Sequence, residues 1–76
     1  MIELVERMAK AIVERPDQVH VHGVEGGSSI IIELRVAKDD MGKIIGKHGR
    51  TITALRTILN ATQAQKDKRH VLEVLE

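Results

Sequence analysis

Ile44-Ile45-Gly46-Lys47-His48-Gly49-Arg50-Thr51-Ile52 sets two glycines around a basic and a polar residue, between two short apolar runs. Upstream, Asp39 and Asp40 are placed to cap a helix that Met41, Ile44 and Ile45 anchor in a core. Downstream, Ile52, Leu55, Ile58, Leu59 and Thr62 recur at helical spacing and predict a core stripe over Arg50–Ala61. The unit reads helix, four-residue turn, helix. Gly46 is expected to end the first helix in a left-handed conformation, where a Cβ is penalised. Gly49 lets the chain enter the second helix beneath a closely approaching ligand backbone.

Such a turn suits an anion. The first N–H groups of a helix lack intrahelical partners, and the helix dipole adds partial positive charge there. Turn amides, the start of the second helix, Lys47 and Arg50 would face the same anion, with no bulky side chain in the way. A nucleotidase-type phosphate loop does not fit. Only three residues separate Gly42 from Gly46-Lys47 where four are needed, and His48 stands where a magnesium-holding Ser or Thr belongs.

Working outward, Ser29–Ala37 is the clearest strand, with Ile30, Ile32, Leu34 and Val36 on one face and Ile31, Glu33 and Arg35 on the other. Gln18–Val24 predicts its hairpin partner, joined through a turn at Glu25–Ser28. His20 and His22 share a face of that strand. They are either two metal ligands or two ordinary strand residues, and no carboxylate or cysteine cluster completes a site. Residues 2–14 form an amphipathic helix with Ile2, Val5, Met8, Ala9, Ile12 and Val13 on one side, stopped by Pro16. Gly42 sits inside the short helix at a cost of about 1 kcal/mol relative to Ala, which points to close approach by a ligand or a neighbouring helix. Gln63–Arg69 reads as a polar connector, and Val71–Leu75 as a last strand with Leu72 and Val74 inward. The order is α-β-β-α-α-β in one domain, residues 1–76.

Composition narrows the function. Among the 76 residues there is no cysteine, so disulfides and cysteine-ligated metals are excluded. With no Phe, Trp or Tyr, the chain lacks the aromatics on which many RNA-binding surfaces stack bases. Nucleic acid would be held by backbone contacts, aliphatic packing and hydrogen bonds. The net charge is only +1, but Lys38–Arg56 carries five Lys and Arg against two Asp, so the positive field is concentrated around the loop. No apolar run approaches the roughly 18 residues of a membrane span, and the N-terminus does not resemble a signal peptide. A cytoplasmic protein is the expectation.

The aliphatic pair, Gly-x-x-Gly and following aliphatic residue (Ile44, Ile45, Gly46, Gly49, Ile52), set between two predicted helices, resemble the signature of the KH domain. The helix-first order resembles its type II, prokaryotic form. That resemblance implies an α+β fold with a three-stranded sheet covered on one face by three helices. Asp40 through Ile52, followed by Ala54-Leu55-Arg56, is similar to the KhpA family, small stand-alone bacterial KH proteins. The resemblance implies single-stranded RNA binding and post-transcriptional regulation or RNA-chaperone activity. It also implies homodimers and a larger KhpB-like RNA-binding partner. It requires no cofactor or metal. Carried onto this chain, Gly46, Lys47, His48 and Gly49 would hold phosphates, Ile44 and Ile45 would floor the groove, and Lys43 and Arg50 would add charge. The facing wall is expected to be the strand Ser29–Val36. About four nucleotides would be clamped, as in KH domains generally.

Two alternatives remain open on the residues. Ala54, Ile58 and Ala61 widen the second helix's apolar stripe and form either a dimer contact or ordinary internal packing. The chain is then either an RNA binder or an interaction subunit of a ribonucleoprotein complex with little RNA affinity of its own; single-stranded DNA is a third ligand to test. Lys43, Arg50 and Arg56 serve either the ligand or a solvated surface. Nothing in the sequence proposes an enzyme, because no nucleophile-base or paired-carboxylate arrangement is recognisable.

Overall fold

The computed structural model describes residues 2–62 and 69–75. Its elements are α1 (Ile2–Ile12), β1 (His20–Gly26), β2 (Ser29–Arg35), α2 (Met41–Ile45), α3 (Arg50–Thr62) and β3 (Arg69–Leu75). Single 3-10 turns at Pro16–Gln18, Lys38–Asp40 and Lys47–Gly49 link them. The expected connector at 63–68 lies outside the described residues.

The strands form one sheet in the order β1-β2-β3, with β1 antiparallel and β3 parallel to β2. The alternation of β2 decides which face is covered. Ile32, Leu34 and, just beyond the strand, Val36 are buried, and Leu72 of β3 sits beside Ile32 on the same face. Val5 and Ala9 of α1, Ile44 of α2, and Ile52, Leu55 and Leu59 of α3 complete the core from above. Among the described residues its buried members are Val, Ala, Ile and Leu, with Met8 and Met41 packed at its margin, at roughly 1.5–3 kcal/mol for each large residue taken from water. No helix among the described residues is long and apolar enough to cross a membrane.

Several local expectations shift. Helix α1 closes at Ile12 rather than residue 14, because the amides of Glu14 and Arg15 donate to the Asp40 carboxylate (3.2 and 3.1 Å). Asp40 is therefore no side-chain cap for α2. It is 2% exposed and ties the exit of α1 to the entry of α2. The hairpin tightens to a two-residue turn at Gly27-Ser28, since pairing continues through Gly26 and Ser29. Strand β2 stops at Arg35, and the Val36 amide turns to the Leu75 carbonyl at 3.4 Å. The α3 stripe narrows to Ile52, Leu55 and Leu59, because Ile58 (43% exposed) and Thr62 point away from the sheet. His20 and His22 lie exposed, opposite Arg35 and Glu33 in register, and no group of three metal-binding side chains occurs among the described residues.

Candidate nucleic-acid interface

The loop between α2 and α3 holds three of its four residues, Gly46, His48 and Gly49, at positive φ. Gly46 closes α2 by donating its amide to the Gly42 carbonyl (2.8 Å), at φ 79°, ψ 169°. Its conformation is not the left-handed helical one expected from a helix end. It is an extended positive-φ state open essentially to glycine alone. A Cβ there would also lie 2.7 Å from the Cβ and N of Thr51. Gly49 has φ 74° and open space where a Cβ would stand, so its requirement is conformational only. Between them, His48 takes φ 58°, ψ 25°, the left-handed region in which His is enriched over most non-glycine residues. The Gly49 amide returns to the Gly46 carbonyl at 3.1 Å. This winds the loop into one tight turn at the N-terminus of α3, with Lys47, His48 and Arg50 exposed.

The aliphatic pair divides. Ile44 is fully buried, so its side chain belongs to the core and offers no surface to a ligand, whereas Ile45 is 36% exposed beside the loop. Lys43 is on the surface, but its Nζ lies 2.6 Å from the Glu14 carboxylate. Gly42 is exposed, and a Cβ there would meet nothing within 4 Å. A neighbouring helix therefore does not account for glycine at that position.

The strand expected as the facing wall, Ser29–Val36, lies at the centre of the sheet. β2 is bonded on both sides, and its inward Ile32 and Leu34 are buried. The strand beside α3 with an open edge is β3. Between α3 and β3 lies a cleft of about 260 Å³, lined by Arg56, Asn60, Arg69, His70, Val71 and Glu73 among others. Arg56 donates from Nε and Nη2 to the Leu72 carbonyl (3.4 and 3.1 Å), bridging helix and strand.

Three faces of α3 follow from its spacing. Ile52, Leu55 and Leu59 are buried; Arg50, Thr53, Arg56 and Asn60, at intervals of three or four, run exposed from the loop to the cleft. Ala54, Ile58 and Ala61 form a separate exposed flank. Asn60, Arg69, His70 and Glu73 meet at the cleft only in the folded chain, because they come from two elements far apart in the sequence. The i, i+3, i+4 row from Arg50 to Asn60 was the one available signal.

The model of the KhpA/KhpB KH domain matches residues 2–74. The chain is 49% identical over 75 residues to the RNA-binding protein KhpA of Caldanaerobacter subterraneus subsp. tengcongensis, covering 99% of this chain and all of that one. It is 48% identical over 75 residues to KhpA of Clostridium perfringens, with the same coverage. Against KhpA of Chlamydia muridarum it is 46% identical over 76 residues, all of this chain and 97% of the relative.

Proposed function

The chain belongs to the KhpA/KhpB family of KH domains, and from that premise we propose that it binds single-stranded RNA as a bacterial, cytoplasmic post-transcriptional regulator. The observation that carries this reading is the loop Gly46–Gly49, wound tightly at the start of α3 and continued by an exposed polar row into an open cleft. Phosphates sit against the loop amides, Lys47 and His48, with Arg50 adding charge. Ile45 packs under a base, while buried Ile44 acts only by seating α2. Lys43 contributes once it leaves Glu14. RNA is a binding partner here and not a substrate: the chain acts without catalysis, cofactor or metal. Two copies pair through Ala54, Ile58 and Ala61, and a KhpB-like RNA-binding protein is a further partner.

Fluorescence anisotropy with a short labelled single-stranded RNA, at two salt concentrations, tests the loop. Lys47→Asp/His48→Asp keeps both glycines and reverses the charge facing phosphate. Binding by the wild type falls by tenfold or more in the variant, with circular dichroism unchanged (an order-of-magnitude expectation for lost phosphate contacts). Equal binding by a folded variant would place the site elsewhere. If neither protein binds RNA, the reading as an interaction subunit takes over; the exposed flank of α3 is the observation that favours it.

A further inference from the structure

Arg56 is held in an unusual way for a surface arginine. β3 is an edge strand, and Arg69 and Leu75 turn their backbone toward the β2 side, through Arg69 N to Ser28 O and Val36 N to Leu75 O. Alternation then directs the N–H and C=O of Leu72 to the open edge. Leu72 is itself buried, so this carbonyl is a fixed anchor. Arg56 places Nε and Nη2 on it, which sets the plane of the guanidinium within the cleft. The outer fork of Nη1 and the second Nη2 hydrogen has no protein acceptor among the described residues. It is a pair of parallel donors fixed in orientation before any ligand arrives.

We infer that Arg56 is a specificity-determining residue, selecting bases that present two adjacent acceptors: cytosine through O2 and N3, or guanine through O6 and N7. Adenine puts an amino donor beside N7, and uracil puts N3–H beside O4, so each sets a donor against a donor. The inference rests on the RNA-binding reading above, with the loop holding the backbone and the cleft receiving bases. Arg56 lies six residues along α3 from Arg50, about 9 Å of helix rise. That distance is within the span of the four nucleotides a KH loop clamps.

The test uses hexauridylate and the same hexamer with its two central positions changed to cytidine, guanosine or adenosine. Wild type should bind the cytidine and guanosine forms roughly five- to tenfold tighter than the other two. Arg56→Lys keeps the charge and removes the fork. It should weaken only those two, bringing all four within about twofold. A second measurement needs no variant: 7-deazaguanosine, which lacks the N7 acceptor, should lose the guanosine advantage on wild type. A flat series on wild type overturns the inference, as does an equal loss on all four RNAs in Arg56→Lys, the mark of a phosphate contact. If the series is flat while Lys47→Asp/His48→Asp still abolishes binding, the loop reading stands and only the role of Arg56 falls. Failure of wild type to bind any hexamer ends both.

Discussion

Gly46 and Gly49 bracket one loop but respond differently to an added methyl group. At Gly46 the methyl meets Thr51 and the backbone conformation is closed to other residues; at Gly49 only the positive φ opposes it. Gly46→Ala is expected to cost about 3 kcal/mol and Gly49→Ala about 1 kcal/mol, read from urea unfolding. Equal losses would mean that Thr51 moves aside freely. Gly42 makes the opposite case. Its helical position has open space for a Cβ, so Gly42→Ala should gain about 1 kcal/mol of stability. If glycine is there to let the RNA backbone approach, the same variant binds RNA severalfold more weakly. A stabilised variant with unchanged binding would remove that explanation. His48 adds strain of its own, because a side chain in the left-handed region persists only where the surrounding turn demands it.

Between elements, the decisive joint is the one connecting the end of α1 to the start of α2. The Asp40 carboxylate takes the amides of Glu14 and Arg15, the Arg15 guanidinium approaches Asp39 at 3.8 Å, and Glu14 pairs with Lys43. The first contact is part-buried, through the buried Asp40 side chain, and ties the exit of α1 to the entry of α2. The other two are exposed and contribute little to stability. Glu14 nevertheless competes with phosphate for Lys43. Glu14→Gln leaves the backbone bond to Asp40 intact and releases the lysine. RNA binding at low salt should then tighten about two- to threefold, and the salt dependence should steepen by up to about one phosphate contact. The gain must vanish in a Lys43→Gln background. If it persists there, Glu14 acts on the ligand by general repulsion instead.

At the scale of the whole molecule, the polar and apolar flanks of α3 look in different directions. Arg56 and Asn60 line the cleft, whereas Ala54, Ile58 and Ala61 are exposed outside it. Pairing through the second flank would therefore leave both clefts open, and two linked sites gain avidity through effective concentration. Ile58→Asp places a charge at the centre of that flank without touching the core. Sedimentation should show a wild-type dimer becoming a monomer, with circular dichroism preserved. RNA binding should weaken more for a long RNA, which spans two sites, than for a hexamer. An unchanged sedimentation coefficient would remove the pairing surface.

Local periodicity was enough to read the helix-turn-helix around Gly46 and Gly49, the alternation of β2, the amphipathic α1 and the element order. Each of these is dictated by spacing within a dozen residues. The family resemblance rested on the same local pattern. What the sequence left open depended on neighbours distant in the chain. Asp40 looks like a helix cap until the amides of Glu14 and Arg15 arrive from another element. Ile44 and Ile45 are chemically identical, and only packing assigns one to the core and the other to the surface. The cleft wall could not be read locally either, because strand order is a property of pairing. The parallel crossover places β3 at the edge beside α3 and buries β2 in the middle. Tertiary structure alone decided which strand faces the loop's helix, and with it where Arg56 points.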